Sequence, residues 1–342
     1  MQKTFKLSDL YWALIWTMTK ISYLIVPIPL LFLFARAKGY VLSFISPKRA
    51  KVRESLASFF GETKSEKERR AIARRYFQYM ERLNLSLLWP KIRGFAGAEK
   101  CEIEGLQNLQ AALAAGKGAI LLTSHFGYSR LIKPLLKRLN YKVWLAGPQN
   151  MMDNAEPWSK FSDFVYHKLL RMPVFSLREN NDLPTALNVR PLVQVLQRNE
   201  ILVLTADGLR ASNLVPVKIG PEMVPFAAGS IGLARGTGTM ILPTFVVDSG
   251  KGWIGLKMII GKPLELQHTR HQKEDFQVNL ERFGRIFEDM VFRYPQLYRW
   301  KKPGFFKRRL ERLDSDVADR YLGGLSKPKK RKAKKKKKWK SL

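Results

Sequence analysis

The chain has almost no cysteine and comparatively few acidic residues. Its 342 residues include one cysteine, Cys101, which excludes an intramolecular disulfide and leaves no cysteine-based metal cluster. The four histidines are His125, His167, His268 and His271, and their spacing follows no recognised metal-binding motif. What the chain does have is 46% apolar residues, which is ample for a hydrophobic core.

Basic residues greatly outnumber acidic ones. There are 61 Lys and Arg against 28 Asp and Glu, a formal net charge of +33. The run 327–340 holds 11 Lys or Arg, but the rest of the chain is also strongly positive. This excess favours a polyanionic partner, either nucleic acid or an anionic membrane surface. A nucleic-acid-binding protein should interleave aromatic and basic residues, but Trp339 is the only aromatic residue in the tail, so that function is the more distant alternative.

Residues 10–35 form an apolar stretch that is broken only by Lys20 and a few small polar groups. A spanning helix needs ~20 apolar residues, so the length suffices, but Pro27 and Pro29 should break or kink its second half. The alternatives are a removed signal peptide, a buried pair of core helices, and a membrane-attached helical pair that spans the bilayer or lies at its interface. We favour the membrane-attached pair. More basic residues follow the stretch than precede it, which predicts a globular body on the cytoplasmic side.

Three regions are expected: a membrane-associated segment over 1–46, an α/β domain over 47–312, and a basic, disordered tail over 313–342. An amphipathic helix is predicted within 63–89, and apolar strands alternate with helices from Cys101 onward. This alternation predicts a largely parallel mixed sheet flanked by helices. Binding groups in such folds gather beyond the carboxyl ends of the strands. His125 and Asp207 each follow an apolar strand, so both are expected at that edge.

The segment EGLQNLQAALAAGKGAILLTSHFGYSRL (104–131) resembles the glycerolipid and lipid A acyltransferase superfamily, whose signature is a histidine, four residues, and then Asp or Glu. The secondary acyltransferases of lipid A biosynthesis are the most similar members. Three further segments agree with them in order and spacing: NEILVLTADG, VPFAAGSIGLARGTGTMILPTFVV and RYPQLYRWKKPGFFKRR.

The resemblance implies a membrane-associated enzyme of the bacterial inner membrane. Such an enzyme moves a fatty acyl chain from an acyl carrier protein or coenzyme A thioester to a lipid hydroxyl, and it needs no metal or redox cofactor. His125 would be the general base, since an imidazole has an ordinary pKa of ~6.5 and transfers protons readily near neutral pH. Its partners would be membrane lipids, an anionic membrane surface and the acidic carrier protein, which the basic surface would attract.

Arg130 stands where the signature has its carboxylate. A guanidinium cannot accept the imidazole N–H and disfavours a protonated neighbour. Three interpretations remain open. In the first, another group orients His125, either Asp207 or, as the weaker candidate, Ser129, and Arg130 binds a substrate phosphate or the oxyanion. In the second, the protein has lost acyl transfer and keeps lipid binding. In the third, Arg130 simply faces solvent. We favour an active enzyme with His125, Asp207 and Arg130 as its catalytic residues.

Substrate contacts are predicted for Gly127 and Ser129 in the turn after the first strand, and for Arg210 and Gly229 near Asp207. Arg210 can supply a phosphate contact or be an ordinary surface charge. Gly229 can let an anion approach a helix start or can serve tight packing. The strand over 141–147 lacks the arginine usual near this point in lipid A enzymes, so the resemblance leaves the acceptor open.

Overall fold

A computed structural model describes residues 18, 21–22, 25–92, 101–147, 182–184, 189–207, 213–250 and 255–300. The basic tail, most of the apolar stretch before Pro27, and residues 148–181 lie outside these residues. Arg210 also lies outside them.

From Cys101 onward, strands and helices largely alternate among the described residues. The helices are α1 (Ile28–Ile45), α2 (Arg49–Phe60), α3 (Glu66–Ile92), α4 (Leu106–Ala114), α5 (Ile132–Arg138), α6 (Arg190–Gln197), α7 (Gly229–Thr237) and α8 (Gln272–Arg293). The strands are β1 (Glu102–Glu104), β2 (Ala119–Thr123), β3 (Val143–Gly147), β4 (Asp182–Pro184), β5 (Ile201–Thr205), β6 (Leu214–Ile219), β7 (Glu222–Ala227), β8 (Met240–Asp248) and β9 (Leu256–Ile260).

Seven of these strands form one sheet in the order β1-β9-β8-β2-β5-β3-β4. All neighbouring pairs are parallel except β8 and β9, which run antiparallel. The prediction of a largely parallel mixed sheet flanked by helices is therefore confirmed.

Strand β2 lies at the centre of the sheet and is buried along its whole length. Consecutive side chains of a strand point to opposite faces, so complete burial means that both faces are covered. The apolar run AILLT suits this position because it places no charged group on either face.

Strands β6 and β7 form a separate antiparallel hairpin that we did not predict from the sequence. Gly220 and Pro221 connect Ile219 to Glu222, and Gly220 has a φ of +57°, a conformation that favours glycine. The hairpin matters for the site because the backbone N–H of Ala227 donates to the carbonyl of Ala206, next to Asp207 (2.6 Å).

Helix α1 begins directly after Pro27 and carries Pro29 in its first turn. A proline is tolerated there because the first N–H groups of a helix have no intrahelical partner, so these prolines start α1 rather than kink it. Among the described residues, α1 is the one helix long and apolar enough to cross a membrane by length and composition, with a third of it buried against the protein.

Candidate functional site

His125 and Asp207 lie side by side at the carboxyl edge of the sheet. Strands β2 and β5 are paired in parallel, with Thr123 opposite Thr205. His125 and Asp207 each follow two residues after these paired threonines, so the register alone brings them together. The backbone N–H of Ala206 donates to the carbonyl of Thr123 (2.7 Å), which extends the pairing to the site.

One carboxylate oxygen of Asp207 bonds twice to His125. Its Oδ1 lies 3.0 Å from Nδ1 of the imidazole and accepts the backbone N–H of His125 at 2.9 Å. The side chain of His125 is 27% exposed, whereas that of Asp207 is 4% exposed. An ionised carboxylate only accepts hydrogen bonds, so in the neutral ring Nδ1 carries the proton and the other nitrogen, Nε2, has the lone pair.

The turn after His125 is anchored on both sides. The ring of Phe126 is fully buried and packs edge-on against Phe287 and Phe245, with centroids 5.7 and 6.0 Å apart. The Gly127 carbonyl accepts the hydroxyl of the buried Tyr79 (2.8 Å), and the Tyr128 N–H donates to the carbonyl of Val246 (2.9 Å). These contacts hold the backbone that carries the imidazole.

Gly127 is required by the close approach of this turn to β8. Its φ is +53°, and a Cβ at this position would lie 2.3 Å from the carbonyl oxygen of Val246. The residue therefore has a structural reason to be glycine, and a substrate contact at Gly127 stays a prediction.

Replacing Gly127 by alanine is expected to destabilise the fold and displace His125. The left-handed backbone alone costs about 1–3 kcal/mol for a residue with a side chain, and the clash with Val246 adds to it. Gly116→Ala is the matched control, because Gly116 has a φ of +72° and no atom within 4 Å of its Cβ position. Denaturant unfolding should show a larger loss for Gly127→Ala, and equal losses would contradict the described contact.

Arg299 belongs to the site, although the sequence analysis did not single it out. Its Nε donates to the backbone carbonyl of His125 (3.0 Å), and its guanidinium charge acts on Asp207. The residue follows the short 3₁₀ helix Pro295–Leu297, far from the strands in sequence. The sequence does contain Arg299 in the basic closing segment RYPQLYRWKKPGFFKRR, but that segment holds several Lys and Arg residues. Nothing in it indicates which of them reaches the site.

The charges around Asp207 favour its ionised form. Burial by itself raises the pKa of this carboxyl, but the charge and hydrogen bond of His125, the charge of Arg299 and the backbone N–H of His125 hold it well below its usual range. Burial lowers the pKa of the Arg299 guanidinium, and the Asp207 charge opposes that shift. Asp207 is thus a buried anion that a histidine and an arginine compensate.

Arg130 and Ser129 lie on the 3₁₀ helix Ser129–Leu131, just beyond the turn. Arg130 is exposed, and it is close enough to Arg299 for its charge to lower the pKa of that guanidinium. Asp207, rather than Ser129, is the group on Nδ1 of His125. Arg299 therefore contacts the His125–Asp207 pair directly, and the exposed Arg130 acts on the charge of Arg299.

Gly229 is the first residue of α7, directly after the β7 strand end that bonds to Ala206. No described atom lies within 4 Å of the position that a Cβ would take, so tight packing against the described residues does not account for this glycine. A role in admitting an anion stays a prediction.

The chemistry available is that of an imidazole oriented by a carboxylate at an accessible edge. Such a pair takes a proton from a hydroxyl at Nε2 and returns it to a leaving group, while the carboxylate favours the imidazolium formed in between. No group of three or more metal-binding side chains occurs in the part of the chain that the structure describes.

Comparison with known proteins finds matches in the amino-terminal half of the chain. Residues 2–158 match the family described as bacterial lipid A biosynthesis acyltransferase. The chain is also similar to the phosphatidylinositol mannoside acyltransferases of two Mycobacterium tuberculosis strains, CDC 1551 / Oshkosh and ATCC 25618 / H37Rv, with 28% identity over 156 residues in each case.

These matches cover only part of each protein. They take in 44% of this chain and 45% of each phosphatidylinositol mannoside acyltransferase, so the chain matches less than half the length of these relatives. His125 and Arg130 lie inside the match to the lipid A biosynthesis acyltransferase family, whereas Asp207 and Arg299 lie beyond it.

Proposed function

We propose that the protein transfers a fatty acyl chain from a thioester to the hydroxyl group of a lipid, with His125 as general base and Asp207 as the group that orients it. The observation that carries the proposal is the 3.0 Å contact between Nδ1 of His125 and Oδ1 of Asp207, with the imidazole partly exposed at the edge of the sheet. The match of residues 2–158 to a lipid A biosynthesis acyltransferase family supports the reaction class.

The reaction forms a C–O bond, breaks a C–S bond and moves one proton through the imidazole of His125. Nε2 of His125 takes the acceptor's hydroxyl proton as its oxygen bonds to the thioester carbonyl carbon. The tetrahedral intermediate then expels the thiol through cleavage of the C–S bond, and the sulfur receives the proton from Nε2. Asp207 stabilises the imidazolium during this interval, because the transient positive charge faces a buried carboxylate.

Arg130 is proposed to bind an anionic group on the acceptor, such as a phosphate, or the oxyanion of the intermediate. Its side chain is exposed, its charge reaches Arg299, and a planar fork of N–H donors suits a phosphate better than a single ammonium does. In this role Arg130 binds the substrate through its positive charge, and Asp207 orients the imidazole of His125.

The experiment is a transfer assay with the purified full-length chain in lipid vesicles. Radiolabelled acyl carrier protein and acyl-coenzyme A thioesters are each offered with lysophospholipid, glycolipid and aminolipid acceptors. Label should appear in one acceptor class with the wild-type protein and should be nearly absent with His125→Ala. Equal labelling by both proteins would overturn the proposal.

A non-catalytic lipid-binding protein is the second candidate, because Arg130 replaces the carboxylate of the family signature. Arg130→Glu distinguishes the two. If Arg130 binds an acceptor phosphate, loss of a charged hydrogen bond of about 1.5–3 kcal/mol should raise the KM for the acceptor roughly 10–100-fold. Lys262→Glu, at an exposed site after β9, controls for the change in net charge. Activity that appears only in Arg130→Glu would favour the lipid-binding function for the natural chain.

Arg299 is predicted to act as a positioning residue. Its charge lowers the pKa of Asp207, so its removal raises that pKa. The loss of rate that comes from protonation of Asp207, at the acid end of the pH–rate profile, should therefore begin at higher pH in Arg299→Gln and return toward the wild-type position in Arg299→Lys. Arg293→Gln, at an exposed arginine of α8, should leave the profile unchanged. A profile that does not move in Arg299→Gln would show that the residue only supports the fold.

We further propose that the body works on the cytoplasmic side of the bacterial inner membrane and takes its donor from an acidic carrier protein. The positive charge of the chain and the apolar helix α1 support this placement. A field of this sign attracts both anionic lipids and an acidic carrier.

A further inference from the structure

We propose that α1 lies flat on an anionic bilayer, with its outer apolar face in the boundary between headgroups and acyl chains, and does not cross the membrane. This orientation does not depend on acyl transfer. It rests on the two faces of α1, on its packing against α3, and on the cations that border it.

Helix α1 has two apolar faces. At about 100° per residue, the buried stripe and the exposed large apolar residues project in opposite directions. The buried stripe is Ile28, Leu31, Phe32, Ala35, Gly39 and Ser43. The opposite, outer face consists of Leu30, Leu33, Phe34, Val41 and Phe44, which are 43–63% exposed. The inner face of α1 already packs against the protein, so the apolar outer face is left exposed along the helix. Such an exposed apolar face is typical of a helix that lies at a membrane interface.

The inner face of α1 is fixed to α3 along its length. A Cβ on Gly39 would lie 2.4 Å from Cα of Gln78, so the two backbones meet there. Toward one end Arg82 lies over the ring of Phe32 (5.7 Å), and toward the other Arg74 lies over the ring of Tyr40 (5.5 Å). The two helices are therefore antiparallel and in contact over most of α1.

This packing argues against a spanning orientation. If α1 crossed the bilayer, α3 would accompany it into the hydrocarbon region. Helix α3 exposes Arg70, Arg74 and Arg75, and charged side chains at the centre of a bilayer are costly. The 18 residues of α1 also extend only about 27 Å at 1.5 Å per residue, slightly less than a hydrocarbon core of ~30 Å.

Cations border the outer face. Arg36 and Lys38 project on its two sides, and Lys48 and Arg49 follow the end of the helix; all four are exposed. Long basic side chains can lie along an apolar surface and reach the headgroups with their charged ends. Glu81 faces this border from α3, where it forms an ion pair with Lys38. This arrangement complements anionic headgroups, so an anionic bilayer is the occupant we assign.

The same packing connects α1 to the turn that carries His125. Arg82, which lies over Phe32 of α1, also lies 5.9 Å from the ring of Tyr128 and bonds to Asp248 (2.7 Å). Tyr128 belongs to the turn that begins at His125, and its hydroxyl bonds to the same Asp248 oxygen (3.2 Å). The turn that carries His125 is therefore linked, through Arg82, to the inner face of α1 and not to its outer face.

The test measures the depth of spin labels along the outer face. The single native cysteine is removed as Cys101→Ser, and cysteines are introduced one at a time as Leu30→Cys, Phe34→Cys, Val41→Cys and Phe44→Cys. Arg36→Cys is the border control. In vesicles of phosphatidylcholine and phosphatidylglycerol, the four outer labels should report one shallow depth of about 5–10 Å, and the border label should stay in water.

Each other outcome overturns the proposal. A spanning helix would give depths that change by about 21 Å between positions 30 and 44. Outer labels in water would exclude the membrane contact, and outer labels shielded without vesicles would indicate a second copy of the chain on this face. We expect severalfold tighter binding to the vesicles that contain phosphatidylglycerol than to vesicles of phosphatidylcholine alone. Equal binding to both would contradict the requirement for anionic lipid. Circular dichroism checks folding, and the depths are read without turnover, so they stand whether or not acyl transfer is found.

Discussion

His125→Ala is expected to lower the rate of acyl transfer by about 10²–10⁴-fold, the usual contribution of a positioned acid–base group. Among the described residues, the His125 imidazole is the histidine ring that contacts a buried carboxylate and is also partly exposed at the edge of the sheet. Without it, the acceptor hydroxyl has to lose its proton to water before or during attack on the thioester. The change should appear in kcat, because the imidazole acts on the reacting hydroxyl more than on binding.

The control for this variant is His268→Ala. His268 is exposed in the segment between β9 and α8, so its loss should leave the rate unchanged. Thermal unfolding should place both variants close to the wild type, since the ring of His125 is partly exposed and the neighbouring Phe126 anchors the turn. A His125→Ala protein that is folded and retains more than a tenth of the wild-type kcat would remove His125 from the mechanism.

Asp207→Asn is expected to have the second-largest effect, a fall in kcat of at least about 10²-fold. The asparagine fits the same space, and its amide oxygen can take the Oδ1 position, which accepts both the backbone N–H and the Nδ1–H of His125. The asparagine is neutral, so the imidazolium formed during transfer no longer faces a carboxylate. The fall therefore comes from the lost negative charge and not from a lost packing contact.

Acid unfolding provides a second readout for this variant. The pKa of Asp207 in the folded chain lies below its ordinary value of 3.8, so the ionised carboxylate contributes stability above that pH and the contribution is lost as the pH falls. Asp207→Asn should remove this dependence at the acid end. Asp289→Asn, at an exposed carboxylate of α8, should change neither the rate nor the acid limb, and a rate loss equal to that of Asp207→Asn would point to a general effect of charge.

The central part of the fold follows from local patterns. Apolar runs such as Ala119–Leu122 and Ile201–Val203 are typical of strands buried on both faces, and the helices between them require parallel pairing. The position of Asp207 beside His125 also followed, since both come directly after such strands. The exact register was not available from the sequence, and it is the register that sets the 3.0 Å contact.

Other features had weaker signals. Strands β6 and β7 carry prolines at the paired positions 216 and 225, which lowers the apparent strand propensity, although Gly220-Pro221 marks their turn. Arg299 reaches the site through a long-range contact with a backbone carbonyl, and no spacing predicts such a contact. The packing of α1 on α3 depends on the close approach at Gly39, which a glycine in an apolar helix does not reveal by itself.

The ¹⁵N shifts of the His125 imidazole test most directly whether Asp207 has taken over the orientation of this ring. The full-length protein is labelled at its histidines, and the signals of His125 are assigned by their absence in His125→Ala. At neutral pH the neutral ring should carry its proton on Nδ1 and leave Nε2 bare, and Asp207→Ala, which removes the acceptor, should shift the proton toward Nε2. A neutral wild-type ring protonated on Nε2 would contradict the account, because the nitrogen facing the acceptor would then have no lone pair to offer.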